Sequence, residues 1–134
     1  MKRMLLFAFL AVSIATVSSC KKSKAPHFDG PSNLVSGNWH PDLSSISVMP
    51  GTIIPTFAFG TDYRYEKVSG KTNDRNIERG TYSILTAENP NAHSIILKPN
   101  GGNEYTIDLK EFKDSTALFR YGNYQEHPLP YFRR

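Results

Sequence analysis

From about residue 34 onward, apolar and polar side chains alternate in short runs separated by turn residues, a pattern that fits antiparallel sheet and little else. In 103–110, NEYTIDLK, the alternation puts Tyr105, Ile107 and Leu109 on one face and Thr106, Asp108 and Lys110 on the other. The stretches 56–60, TFAFG, and 62–68, DYRYEKV, set Phe57 and Phe59, then Tyr63 and Tyr65, at spacing two. Residues 81–86, TYSILT, and 93–98, HSIILK, are rich in β-branched and aromatic side chains, while 115–121, STALFRY, alternates less cleanly. Between these runs lie GKTND, TAENPNA and KPNGGN, where Gly, Pro and Asn supply the turn angles, and Asn100-Gly101-Gly102 makes a hairpin turn. The pattern predicts an all-β fold, an antiparallel up-and-down meander of about seven or eight strands rolled into a small barrel. No helical period is sustained after residue 33, and 42–49, DLSSISVM, is the best candidate for a short helical turn or lid.

The first residues follow another logic. Lys2 and Arg3 precede a mostly apolar run from Met4 to Val17, and small residues then lead to Cys20, the sole cysteine. That is the layout of a secretory signal peptide, and the apolar run is short for a membrane span. A single thiol excludes an internal disulfide or a CxxC pair. The Val-Ser-Ser-Cys ending resembles the lipobox of bacterial lipoproteins. The resemblance implies cleavage between Ser19 and Cys20 and acylation of Cys20 with palmitate-like chains. Each buried methylene adds about 0.8 kcal/mol to membrane binding, so several chains hold almost permanently. The expected organisation is a signal peptide over 1–19, a lipidated tether over 20–33 punctuated by Pro26, Gly30 and Pro31, and a barrel domain over 34–134.

Charge and motifs narrow the function classes. The pI near 9.2 comes from the edges: Lys2, Arg3, Lys21, Lys22 and Lys24 precede a domain whose acidic and basic residues balance. A neutral domain carries no electrostatic footprint for nucleic acid. Gly70-Lys71-Thr72 has the ending of a phosphate loop, but Tyr65 stands where the earlier glycine belongs. Residues 74–78, DRNIE, space oxygen side chains like the start of a calcium loop, yet Arg79 and Leu85 occupy the positions that need Gly and Glu; the stretch reads as a solvated turn. His27, His40, His93 and His127 lack metal-ligand spacing. No GxSxG elbow or marked carboxylate pair is present, so the expectation is a protein without catalytic residues, metal or cofactor.

The aromatics carry more. Gly37-Asn38-Trp39 and Gly80-Thr81-Tyr82 each set a glycine two residues before a ring, which lets a strand bend or a ring cross its backbone. Phe57, Phe59, Tyr63, Tyr65, Tyr82, Ile84, Tyr105 and Ile107 are the candidate interior, either filling the barrel or lining a cavity within it.

Taken in order, the Gly37–Trp39 GxW, TFAFGTDYRY, RGTYSIL, YTIDL and the ending PYFRR make the chain similar to small lipocalin-like lipoproteins of the Bacteroidota, within the calycin group. The resemblance spans most of 34–134. It implies a barrel plugged at one end by Trp39, with an arginine from a late strand, Arg120 or Arg133, lying over the indole. It also implies a small apolar ligand in the cup, which is shallower here because the domain is short. Lys21 after the cysteine resembles lipoproteins sent to the outer membrane, implying a periplasm-facing anchor. The alternative is a protein–protein module, an enzyme inhibitor or envelope-assembly component, acting through loops 41–51 and 122–130 and their Met49, Tyr124 and Leu129.

Overall fold

The computed structural model describes residues 30–86 and 89–134, so the signal-peptide and lipidation residues, Ser19 and Cys20 included, lie outside the described residues. Eight antiparallel strands close into one barrel in sequence order. They are β1 (Gly37–Pro41), β2 (Thr56–Phe59), β3 (Arg64–Ser69), β4 (Asn76–Thr86), β5 (His93–Pro99), β6 (Tyr105–Lys110), β7 (Thr116–Arg120) and β8 (Leu129–Arg133), and β8 pairs back onto β1. A short 3-10 turn, Ser32–Leu34, precedes β1. Residues 42–55, expected to hold a helical turn, form an irregular loop instead. There the Asp42 carboxylate accepts from the Ser44 amide and hydroxyl and so turns the chain without a helix.

Up-and-down order sorts the loops to two ends. Loops 42–55, 70–75, 100–104 and 121–128 share the mouth, while 60–63, 89–92 and 111–115 join the 3-10 turn at the closed end. Gly30 is buried and its amide donates to the Ile84 carbonyl at 3.2 Å, so the end of the expected tether packs against the barrel.

Alternation fills the inside. Trp39, Phe57, Phe59, Tyr65, Tyr82, Ile84, Ile107, Phe119 and Tyr131 are all buried in one cluster. Phe57 is the hub, with Phe59, Phe119, Tyr121 and Tyr131 rings at 5.6 to 6.0 Å. Stacking and edge contacts at such separations add about 0.5–1.5 kcal/mol per pair beyond area burial. Aromatic side chains therefore occupy the lower barrel as a packed core.

Tyr63 departs from its expected place. It has φ 61°, in the turn before β3, and this left-handed residue breaks the period that would have put it beside Tyr65. It stands 41% exposed at the closed end, its hydroxyl donating to the Gly30 carbonyl.

Gly80 is required by close approach rather than by a crossing ring. It is paired with Tyr65 on one side and Pro99 on the other, and a β-carbon there would collide with the Lys98 carbonyl oxygen and carbon. Gly80→Ala is expected to destabilise the barrel by about 1–3 kcal/mol through overpacking. Urea denaturation followed by the fluorescence of the sole tryptophan measures this, and an unchanged midpoint would show that β4 and β5 can separate without loss.

Candidate functional site: the two ends of the barrel

The closed end is built around Trp39, which is fully buried and donates its indole N–H to the Val35 carbonyl at 2.8 Å. Phe119 and Phe112 flank the ring at 5.4 and 6.2 Å. Of the two arginines expected to cover it, Arg133 does so, with its guanidinium carbon 5.3 Å from the ring centroid. The same guanidinium donates to the carbonyls of Leu34, Ser36 and Asp114, tying the 3-10 turn and the β6–β7 turn to the last strand. Its aliphatic stem crosses Gly37, whose φ of 126° and missing side chain leave room for it.

Arg120 has the opposite parity. Phe119 points inward, so Arg120 points out and pairs with Asp108 at 3.2 Å, and Asp108 in turn accepts from the Ser94 hydroxyl. The result is a ladder across the outside of β5, β6 and β7, not a lid on the indole.

The mouth is different in chemistry. β6 pairs with β7 only from Asp108 to Lys110, so the two strands diverge above that point. A cleft of about 460 Å³ opens at the divergence, lined by Ile53, Pro55, Lys67, Ser69, Tyr105, Thr106 and residues 121–124, YGNY. Of the residues expected to line a cavity, Tyr105 alone lines this cleft; Phe57, Phe59, Tyr65, Tyr82, Ile84 and Ile107 belong to the packed core and Tyr63 to the far end. A smaller cleft of about 270 Å³ adjoins it between Leu43, Val48, Ile53, Ile54 and Gly70-Lys71. Leu129, expected on an exposed loop, is buried in β8.

Two polar clusters edge the mouth. Glu78 Oε1 accepts hydroxyl hydrogen bonds from Tyr65 at 2.8 Å and Tyr105 at 2.6 Å. Lys67 Nζ lies 4.0 Å from Glu78 Oε2, donates to the Tyr105 hydroxyl at 3.4 Å and stands 5.0 Å from that ring's centroid. Burial, then the hydrogen bond to Glu78, raises the pKa of Tyr65 and Tyr105 above the phenol range, so both stay neutral donors. In the second cluster the Tyr121 and Tyr131 hydroxyls meet at 2.9 Å, and Tyr131 donates to the Pro55 carbonyl at 2.8 Å. Burial pushes Tyr121 up to about 12 and raises Tyr131 as well.

Lys67 and Glu78 are the residues that reading the aromatics alone overlooks. Each lies two positions from an inward residue, Tyr65 and Gly80 respectively, and that parity was the available signal. Of the stretch read as a solvated turn, Asp74 and Arg75 do lie in an exposed loop, while Asn76–Glu78 begin β4, which places Glu78 inside the rim.

The histidines stay apart. His27 is outside the described residues, His40 stacks on Phe132 on the outer face, His93 is buried at the closed end with Nε2 against the Pro90 carbonyl, and His127 is in the mouth loop. Among the described residues, no group of three or more His, Cys, Asp or Glu is placed to hold a metal ion. No family model, curated protein or solved structure matches the chain.

Proposed function

We propose that this is a lipid-anchored, non-catalytic binding protein of the cell envelope that holds a small molecule at the mouth of its barrel. The observation that carries the reading is the cleft of about 460 Å³ above a filled aromatic core. That volume lies within the range of small-molecule sites, and its walls mix apolar side chains with a few polar ones, as such sites do. The site is therefore the mouth and not the interior of the cup, because Phe57, Phe119 and Tyr131 occupy the interior.

Anchoring rests on the sequence of residues 1–20 and the acylation of Cys20 that its ending implies, with the outer membrane and its periplasmic face as the proposed location. Gly30 packs at the closed end, opposite the mouth. A tether joined there supports an orientation with the cleft facing away from the lipid, towards the aqueous space.

Native mass spectrometry of the full chain after exposure to envelope lipids and small aromatics tests the reading. One bound molecule per chain is expected, lost on Ser69→Trp, which fills the cleft from the end of β3. Failure to retain any species, or retention that ignores Ser69→Trp, would count against it. A second reading draws support from loop 42–55, where Leu43, Met49 and Ile53 are 49%, 81% and 58% exposed. If crosslinking from that loop captures an envelope protein while no small molecule is retained, the barrel is a docking module and the cleft is incidental.

A further inference from the structure

We propose that the ligand of the mouth cleft is an anion with a flat apolar body, held through the Lys67 ammonium. This rests on the reading that the mouth cleft is occupied, and adds the chemistry of the occupant. Among the described residues, Lys67 is the sole charged one lining the cleft. It sits on the inward face of β3, two residues beyond Tyr65, and its side chain is only 23% exposed.

Its bonds to the protein leave protons for a ligand to accept. An ammonium has three protons to donate. Here it makes one long bond, 3.4 Å to Tyr105, and its 4.0 Å separation from Glu78 Oε2 exceeds hydrogen-bond length. Glu78 holds two tyrosine hydroxyls on its other oxygen, and it does not line the cleft. The carboxylate thus keeps a cation at the rim without closing over it. A partly buried ammonium with few protein acceptors favours an anionic one, and such charge-assisted bonds are about twice as strong as neutral ones. Tyr105, Tyr121 and Tyr124 rings with Ile53 and Pro55 supply flat apolar walls for the remainder of the ligand.

Anilinonaphthalene sulfonate and phenylnaphthylamine form a matched pair for the test, since they share their rings and differ by the sulfonate. Calorimetric titration of the full chain is expected to show the sulfonate binding once per chain, about tenfold more tightly than the amine. Lys67→Met should remove that preference and leave the amine's affinity unchanged, while Lys67→Arg should keep it. Glu78→Gln, which retains an acceptor for both tyrosines, should tighten the sulfonate a few-fold, and it decides the matter should Lys67→Met fail to fold. Equal binding of the two probes, or a preference that survives Lys67→Met, would overturn the anion. If Ser69→Trp still abolishes both probes in that case, the cleft stands as a neutral site. If neither probe binds, or binding ignores Ser69→Trp, the occupied cleft falls and the anion with it.

Discussion

Replacing Trp39 by alanine is expected to cost the barrel about 3–5 kcal/mol, the range for removing a buried large aromatic, which is a large share of the about 5–15 kcal/mol that holds a domain together. The indole is fully buried, packs on Phe112 and Phe119, and carries the Arg133 guanidinium on its face. Its loss leaves a hole at the closed end and an orphaned Val35 carbonyl. Just as important, Arg133 would lose the surface that keeps its fork aimed at Leu34, Ser36 and Asp114. Urea unfolding followed by circular dichroism measures the loss, since the variant has no tryptophan left to report it. Trp39→Phe should fall well short of the alanine effect, because a ring remains to fill the space. Arg133→Met keeps the aliphatic stem over Gly37 but removes the donors, and combining it with Trp39→Phe in a double-mutant cycle should give a coupling of about 1 kcal/mol. An alanine variant within about 1 kcal/mol of the parent would mean that the closed end is not where the barrel is fastened.

The architecture was readable because burial on one face of each strand writes a period of two into the chain. Parity also chooses between the two arginines. Ala117 and Phe119 claim the inside of β7, and buried Tyr121 follows just beyond it, which leaves Arg120 outside, whereas Arg133 shares the inward parity of Leu129 and Tyr131. Two of the departures lie at strand starts, each with a physical cause. Tyr63 shares a spacing of two with Tyr65, but its positive φ reverses the chain before the strand begins. The first turn of residues in β4, Asn76 to Arg79, looks like a loop because the strand rises past the core to the rim, where there is little apolar surface to cover.

Whether the barrel is hollow was not readable at all. Inward aromatics are written the same way in a filled core and in a lined cavity; the difference is a matter of how far rings reach across the axis, which alternation does not encode. The polar mouth was hidden by a related ambiguity. Tyr65, Lys67 and Glu78 come together through the β3–β4 register, and Tyr105 joins them from across the barrel. A lysine and a glutamate in a strand ordinarily mark its outer face, and only their parity with Tyr65 and Gly80 says otherwise.

The same tyrosines predict how the fold ends at high pH. Tyr65, Tyr82, Tyr121 and Tyr131 are each no more than 7% exposed, and burial is the first cause of a raised pKa in all four. Tyr82 and Tyr121 are pushed up to about 12. In the unfolded chain a phenol ionises near pH 10, at about its ordinary value. Above that point the unfolded chain releases protons that the barrel retains, so stability falls with rising pH, by about 1.4 kcal/mol per pH unit for each buried tyrosine once well past its unfolded pKa. Below pH 10 both states are protonated at these sites and the contribution is complete. The loss therefore opens near pH 10 and, for Tyr82 and Tyr121, runs to about pH 12. Four such groups acting together remove about 5 kcal/mol per pH unit, comparable with the whole stability of a small domain. The barrel is expected to unfold cooperatively between about pH 11 and 12, with tyrosinate absorbance and the loss of β-sheet dichroism rising in one transition. Tyr121→Phe removes a titrating group and should shift that transition upward, by an amount reduced by the hydrogen bond it gives up with Tyr131. Full tyrosinate absorbance developing while the sheet dichroism stays intact would show that the phenols are open to hydroxide in the folded barrel, and the sealed aromatic interior would then be wrong.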